Sequence, residues 1–173
     1  VSLIQSNFHG IGSTIGVGDL GFFLHNRGAG FNLIQNHPNS LKAGRKPLHT
    51  LSPTIWSVDG NLDMIIGTRG GRYQPQLLSH FILKILKNEN LENAMNAPRW
   101  NIDEFGKETV SEINIEPGLD EKIIDVLINK GHKVNQLTKL QNSYGPISAI
   151  VKNNENWIAL HDIRVDTSSS IIK

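Results

Sequence analysis

Residues 61–86 read NLDMIIGTRGGRYQPQLLSHFILKIL, and this stretch decides the fold. Its first residues are rich in β-forming side chains and follow a similar run at residues 54–58 across an Asp-Gly turn, which predicts a β-hairpin. Its last residues repeat apolar side chains at helical spacing, with Pro75 where a first helical turn tolerates proline. A Gly70-Gly71 pair therefore joins a predicted strand to a predicted helix.

The chain on either side of this stretch adds strands and helices in separate blocks. Strands are predicted at residues 1–6, 21–25, 54–58, 62–66, 109–115, 147–151 and 157–160. Helices are predicted at residues 77–86, 91–97 and 119–130, the last closed by Gly131. Residues 32–46 are polar and aperiodic, which predicts a long surface loop. The predicted fold class is α+β.

Composition excludes several classes of function. The chain has 173 residues, a formal net charge of +1 and no cysteine. Its balanced charge argues against partners such as nucleic acid or an anionic membrane, and no apolar run reaches the roughly 18 residues of a spanning helix. Without cysteine there are no disulfides and no thiolate chemistry. The seven histidines lack H-x-x-x-H or H-E-x-x-H spacing, so neither a metal site nor a cofactor is predicted.

The Gly70-Gly71 pair is the most pointed candidate site. Adjacent glycines at a helix N-terminus can aim neighbouring N–H groups at one point and bind an anion or a developing oxyanion. The alternative is a tight strand-to-helix turn that needs positive φ, and the residues alone leave both interpretations open.

Arg27 and the His49-Thr50 pair are weaker candidates. Arg27 lies among small residues and is open to a carboxylate, although a solvated loop arginine is the ordinary case. The imidazole of His49 and the hydroxyl of Thr50 can hydrogen-bond a substrate, whereas a structural histidine beside a proline turn is the alternative. These residues by themselves name no reaction.

Several segments, in order along nearly the whole chain, resemble the small subunit of the gamma-glutamyltransferase family. They are GFFLHN at residues 21–26, RKPLHTLSPT at 45–54, GG at 70–71, APR at 97–99, GHKV at 131–134, and residues 145–151 and 162–166. A gamma-glutamyltransferase-like branch, whose members are gamma-glutamyl hydrolases, transferases or related acylases, is more similar still. Its signatures resemble residues 4–8, 26–31, 37–39, 47–50 and 70–76.

This resemblance implies an N-terminal nucleophile hydrolase. Its fold is a four-layer αββα sandwich of two stacked antiparallel sheets between helices. Residues 1–173 would be the C-terminal, small-subunit part of it and not an independent domain. The expected substrates are gamma-glutamyl compounds such as glutathione, or related acyl amides. The expected partner is the large-subunit segment of the same precursor, in a dimer of processed heterodimers.

The implied mechanism begins with a precursor that cleaves itself. The new N-terminal Thr attacks an amide carbonyl while its own amine takes the proton, and water or an amino acid resolves the acyl-enzyme. The oxyanion would lie against the N–H groups of Gly70 and Gly71. The nucleophilic Thr is expected about one strand and one turn upstream of Val1. The chain is therefore expected to be part of a longer polypeptide and to be inactive alone.

The substrate contacts implied by the resemblance depart from the transpeptidase pattern. Transpeptidases carry an acidic residue at the position of Gly30 to receive the substrate's α-amino group. Here Arg27 lies nearby, and a cation repels an ammonium but suits a carboxylate. His49 and Thr50 align with two serines that contact the substrate carboxylate.

Two further positions complete the implied site. Phe8 stands where many relatives have Asn, and Ser6 keeps a hydroxyl near the expected nucleophile. The altered substrate loop and the absent Thr leave an alternative: a non-catalytic family member used for binding or assembly. An anion-binding module built on the helix N-terminus alone ranks last. The compartment stays open, with a slight preference for the cytoplasm.

Overall fold

A computed structural model describes residues 1–102 and 112–166. The chain divides into two compact units. Residues 3–51 form the loop unit, and the described residues from 52 onward, together with residues 1–2, form the sheet unit. Each unit has its own internal organisation, and the two are described in turn.

The described residues contain seven strands and three α-helices, all in the sheet unit. In chain order they are β1 (Thr54–Val58), β2 (Asn61–Thr68), α1 (Gln74–Leu86), α2 (Leu91–Asn96), β3 (Trp100–Ile102), β4 (Glu112–Ile115), α3 (Glu121–Asn129), β5 (Lys133–Gln136), β6 (Ile147–Asn153) and β7 (Asn156–Leu160). No helix among them is both long and apolar enough to cross a membrane.

A four-stranded antiparallel sheet, in the order β1-β2-β6-β7, is the larger of the two sheets. Alternate side chains of β2 and β6 are buried, because successive residues of a strand point to opposite faces. The apolar stripe of α1 and two residues of α2 complete this core. Its buried members are Met64, Ile66, Leu78, Phe81, Ala94, Met95, Ile147, Ala149 and Val151.

A three-stranded mixed sheet, in the order β3-β4-β5, forms a second core. β3 pairs antiparallel with β4, whereas β4 pairs parallel with β5. The parallel pair is connected through α3, as a crossover between parallel strands requires. Ile113, Ile115 and Ile124 are its buried centre.

Both ends of α3 are fixed by residues that the sequence supplies locally. Asp120 is the N-cap, and its side chain accepts a hydrogen bond from the N–H of Lys122. At the other end Gly131 has a φ of 85°, and its N–H donates to Ile128 O. The next N–H donates to Leu127 O, which completes a Schellman motif.

The loop unit has little regular structure. Among its residues, β-pairing is limited to isolated bridges, Gly16 with Phe23 and Asn32 with Ser40. Asn26 ties its loops together: its amide oxygen accepts from His9 N, and its amide nitrogen donates to His9 O. Side-chain-to-backbone bonds thus replace a strand ladder here.

Much of the sequence-based prediction is confirmed, with boundary shifts of a few residues. The two hairpins and the three helices form where they were expected, and residues 32–46 are irregular. The strands predicted at residues 1–6 and 21–25 are wrong. Both runs are β-rich in composition, but apart from the bridge at Phe23 neither has a neighbouring strand to pair with.

The remaining differences concern the second sheet. β3 and β5 were not predicted, because each is very short and β5 is mostly exposed. The strand predicted at residues 109–115 exists as β4, and residues 109–111 lie outside the described residues. The prediction that helices and antiparallel strands form separate blocks is wrong at β4-α3-β5, where the pairing is parallel.

Candidate active site

The Gly70-Gly71 pair forms a tight turn between β2 and α1. Gly70 has φ 125° and Gly71 has φ 56°, so both residues adopt backbone conformations that side chains disfavour. A single 3-10 turn, Gly71–Tyr73, then leads into α1. The need for positive φ, which the sequence had offered as the structural explanation of the two glycines, is therefore real.

The two glycines differ in the space around them. A Cβ on Gly70 would lie 3.1 Å from Leu77 Cδ1, so the Leu77 side chain would have to shift slightly, and 3.4 Å from Gly145 Cα, an ordinary van der Waals distance. A Cβ on Gly71 would meet nothing within 4 Å. Gly71 is thus favoured by φ alone, whereas at Gly70 a close contact with Leu77 Cδ1 adds to the effect of the positive φ.

The N–H groups of this turn are available to a ligand. Within the described ranges, none of the hydrogen bonds of turns, loops and side chains uses the N–H of Gly70 or Gly71, whereas the carbonyl of Gly70 accepts from Tyr73 N at 3.0 Å. Unsatisfied N–H groups at the start of a helix are suited to a negative charge.

Beneath this turn lies a fully buried ionic network. It joins Arg99 and Arg164 to Glu116 and Asp162, whose exposed fractions are between 1% and 7%. Arg164 binds Glu116 through Nε and Nη2 and Asp162 through Nη1, and Arg99 binds the other oxygen of Asp162. Two cations and two anions cancel, which offsets the cost of taking charges out of water.

The network keeps the Asp162 carboxylate ionised. Burial opposes the charge of Asp162, but Arg99 and the backbone N–H groups of Ile147 and Arg164 outweigh it and lower the pKa of the carboxyl below its ordinary value. For Arg164, burial opposes the charge and the bonds to Glu116 outweigh it, so its pKa is raised. Arg164 Nη1 and Asp162 Oδ1 form an ion pair at 3.2 Å.

The substrate-binding candidates of the loop unit form a cluster around Arg27. Arg27 Nη1 donates to Thr50 Oγ1 at 3.1 Å, and the guanidinium carbon lies 4.8 Å from the centre of the Phe8 ring. The second nitrogen, Nη2, is buried and has no hydrogen-bond partner among the described residues. A buried N–H donor without an acceptor is costly, so this atom is the natural point for a bound anion.

Ser6 and His49 behave differently from each other. Ser6 Oγ accepts the N–H of Phe8 at 3.0 Å, and Phe8 has φ 79°, a strained conformation for a bulky residue. Ser6 thus supports the bend that places Phe8 against Arg27. The exposed His49 ring has no hydrogen bond or ring contact to the described residues.

The structure therefore brings four of the seven candidate residues together. Arg27, Thr50, Phe8 and Ser6 form one cluster in the loop unit, and the two glycines lie in the sheet unit. Within the described residues, no three His, Cys, Asp or Glu side chains are grouped so that they could hold a metal ion.

One half-buried residue was not singled out by the sequence. The ring of His80 on α1 lies 4.5 Å from that of Trp100, and both of its nitrogens are buried without a hydrogen-bond partner. Burial, with smaller contributions from Arg99 and Lys84, lowers the pKa of His80 to about 4. His80 also lines a cavity of about 320 Å³ between α1, α3 and the second sheet. Its position on the edge of an apolar helical stripe was the available signal.

Comparisons with known proteins identify relatives of this chain. The chain is 31% identical over 159 residues to a glutathione hydrolase-like proenzyme, YwrD, of Bacillus subtilis, covering 91% of this chain and 30% of that protein. It is 31% identical over 153 residues to the oxamate amidohydrolase proenzyme of Klebsiella pneumoniae, covering 88% of this chain and 29% of that protein. The chain thus spans about 30% of the length of these curated relatives.

Solved structures show the same fold. The gamma-glutamyltranspeptidase of Pseudomonas nitroreducens, in complex with L-DON, superposes with a TM-score of 0.82 at 22% identity. That likeness covers 100% of this chain and 93% of the matched one. The sequence profile described as gamma-glutamyltranspeptidase matches residues 1–172. This chain is therefore a member of the gamma-glutamyltranspeptidase family.

Proposed function

We propose that this chain is the small-subunit part of a self-processing amide hydrolase or acyltransferase. Its substrates would be gamma-glutamyl compounds such as glutathione, or related acyl amides that carry a carboxylate. The nucleophile would be an N-terminal Thr upstream of Val1. The observation that carries the proposal is the pair of unbonded N–H groups in the positive-φ turn of Gly70 and Gly71.

The turn supplies what acyl transfer needs from a scaffold. When the Thr hydroxyl attacks the amide carbonyl, its oxygen forms a bond to carbon and the carbonyl oxygen becomes negative. Two N–H groups held in place before the reaction stabilise that charge, and losing one such donor costs about 2.7–4 kcal/mol in the barrier. When the oxyanion collapses, the C–N bond breaks and the departing amine takes the proton held by the Thr amine. Water then attacks the acyl-enzyme in the same way, and the C–O bond to Thr breaks to release the acid.

Arg27 supports a substrate with a carboxylate. Its Nη2 is a buried donor without an acceptor, and its Nη1 bond to Thr50 leaves the Thr50 hydroxyl hydrogen free to donate in turn. A carboxylate could accept from both groups. Phe8 would keep water from one side of the guanidinium, which strengthens such a charge-assisted bond.

The exposed surface supports a protein partner. All four residues of β1 after Thr54 are exposed, including Ile55 and Trp56, and the strand lies at an edge of the sheet. The loop unit also exposes many large apolar side chains, among them Phe22, Phe23 and Leu33. Apolar edges and patches of this kind normally lie in interfaces. The large-subunit segment, and with it the second antiparallel sheet of a four-layer sandwich, is the proposed cover.

The test compares Arg27→Gln with Arg45→Gln in the full-length, processed protein. Arg45 is a matched control, because it lies in the same unit and its Nη1 donates only to Pro38 O and Ser40 Oγ. For acyl amides bearing a carboxylate, Arg27→Gln is expected to lower kcat/KM by about 10- to 100-fold, the worth of a charged hydrogen bond. Esterified substrates and Arg45→Gln should show no such loss.

Two results would contradict the proposal at different points. If the processed wild-type protein hydrolyses no acyl amide, the enzymatic proposal is wrong. If it hydrolyses them and Arg27→Gln behaves like Arg45→Gln, catalysis stands and the assignment of Arg27 is wrong.

A further inference from the structure

We propose that Thr68 is a positioning residue for the Gly70-Gly71 turn and that it acts through the carbonyl of Gly145. The inference rests on the proposed function, because it explains how the two N–H groups would be held in place. Thr68 is the last residue of β2 and is buried, so it would not touch a substrate itself.

Gly145 lies against the Gly70-Gly71 turn. A Cβ added to Gly70 would lie 3.4 Å from Gly145 Cα, so the Gly70 backbone packs directly on the Gly145 backbone. Leu77 Cδ1 closes the remaining space beside both glycines. A shift of Gly145 would therefore displace Gly70 and the N–H groups that follow.

Gly145 is itself tightly confined. It has φ 49°, and a Cβ there would overlap the carbonyl oxygen of Arg69. The same Cβ would lie 2.5 Å from Leu77 Cδ1 and 2.7 Å from Thr68 Oγ1. Gly145 is thus wedged between the end of β2 and the start of α1, which are the two elements that the oxyanion turn connects.

Two side-chain donors fix the carbonyl of Gly145. Thr68 Oγ1 donates to Gly145 O at 2.6 Å, nearer than the other carbonyl oxygens in reach, those of Arg69 at 3.0 Å and Pro146 at 3.2 Å. Arg99 Nη1 donates to the same oxygen at 2.8 Å. Two donors that approach one carbonyl from different elements leave it little freedom to move.

The Arg99 donor is held in place by the buried ionic network. Arg99 is held by Asp162, and Asp162 is held in turn by Arg164 and by the N–H of Ile147 at 2.9 Å. Every one of these charged groups is buried. Preorganised N–H groups stabilise an oxyanion only if their surroundings do not relax, and a closed ionic network provides that stiffness.

Thr68→Val is the variant that tests the inference. Valine keeps the shape and β-branching of threonine, and Gly145 O keeps its bond from Arg99, so the fold should survive. The change is expected to lower kcat about tenfold with KM within about twofold, because it acts on a transition-state contact. Thr68→Ser, which restores the hydroxyl, should recover most of the rate. Turnover is measured per processed chain.

Thr54→Val is the matched control. Thr54 Oγ1 also donates to a backbone carbonyl of the same sheet, Ile66 O at 2.9 Å, and accepts from Trp56 Nε1 at 3.0 Å, but it does not touch Gly145. Thr54→Val should lower the melting temperature about as much as Thr68→Val and leave kcat unchanged. If both variants lower kcat equally, Thr68 acts only through general stability and the inference is wrong.

A second readout separates this inference from the proposed function. In protein labelled with ¹⁵N-glycine, Thr68→Val should shift the amide signals of Gly70 and Gly71, whereas Thr54→Val should not. If wild type is inactive on all amides but these signals move, the proposed function fails and the coupling stands. If wild type is active and neither kcat nor the signals change in Thr68→Val, the coupling is wrong and the function stands.

Discussion

The clearest perturbation of the candidate oxyanion turn is Gly71→Ala. At Gly71 a Cβ meets nothing within 4 Å, so the only local penalty is φ 56°. An L-residue in this left-handed region costs about 1–2 kcal/mol. Rotating the peptide that carries the N–H relieves that strain. Displacing one oxyanion donor lowers kcat by about 10²–10³. We therefore expect kcat to fall by about 10² and KM to change little.

Gly131→Ala isolates strain from catalysis. Gly131 has φ 85°, and its Cβ also meets nothing within 4 Å, but it closes α3 far along the chain from the turn. Both variants should lose about 1–2 kcal/mol of stability in urea unfolding. The assay is hydrolysis of a chromogenic gamma-glutamyl anilide by the processed protein. A kcat for Gly71→Ala within twofold of that for Gly131→Ala would refute the oxyanion assignment.

Three further predictions concern stability. In Gly145→Ala the methyl group has no room beside Leu77 and Thr68, and the left-handed φ adds strain. The free energy of unfolding should therefore fall by more than about 3 kcal/mol. A melting temperature near that of wild type would contradict the packing argument. Asp162→Asn leaves Arg99 and Arg164 buried with one anion fewer and should cost about 3–5 kcal/mol in urea unfolding at pH 7, whereas Asp166→Asn, at an exposed site, should be neutral. The pKa of His80, lowered to about 4 from 6.5, favours the neutral ring in the folded state. The free energy of unfolding therefore has its full value above pH 6.5 and falls by about 3 kcal/mol in all as the pH drops toward 4, because the unfolded state binds the proton first. His80→Leu should remove this part of the pH dependence, and an unchanged profile would show that His80 is not its source.

The sequence predicted the elements whose signals are local. The Asp-Gly hairpin, the apolar stripe of α1 and the Asp120 and Gly131 caps each depend on neighbours within a few residues, and each is present. β5 gave no such signal, because its strand character comes from parallel pairing with β4 across α3. The strands expected at the start of the chain failed for the converse reason: composition favoured extension, but no neighbour pairs with them.

The candidate site divides along the same line. The positive φ at Gly70 and Gly71 could be read from two adjacent glycines. The contact of Arg27 with Thr50 joins residues that are 23 positions apart, and that of Thr68 with Gly145 joins residues 77 apart. Only the folded chain reveals such pairs, because no local pattern encodes which turn packs on which. The buried position of Glu116 beside Arg164 is likewise a tertiary fact, 48 positions apart in sequence.

If the proposed function is right, this chain works as one product of a self-processing precursor. The most direct measurement is intact mass together with N-terminal sequencing of the product made from the complete gene. We expect a chain that begins with Thr shortly upstream of Val1 and co-purifies with a larger fragment. A product that stays uncleaved, or that has no Thr ahead of Val1, would contradict it and would favour a non-catalytic role in binding or assembly.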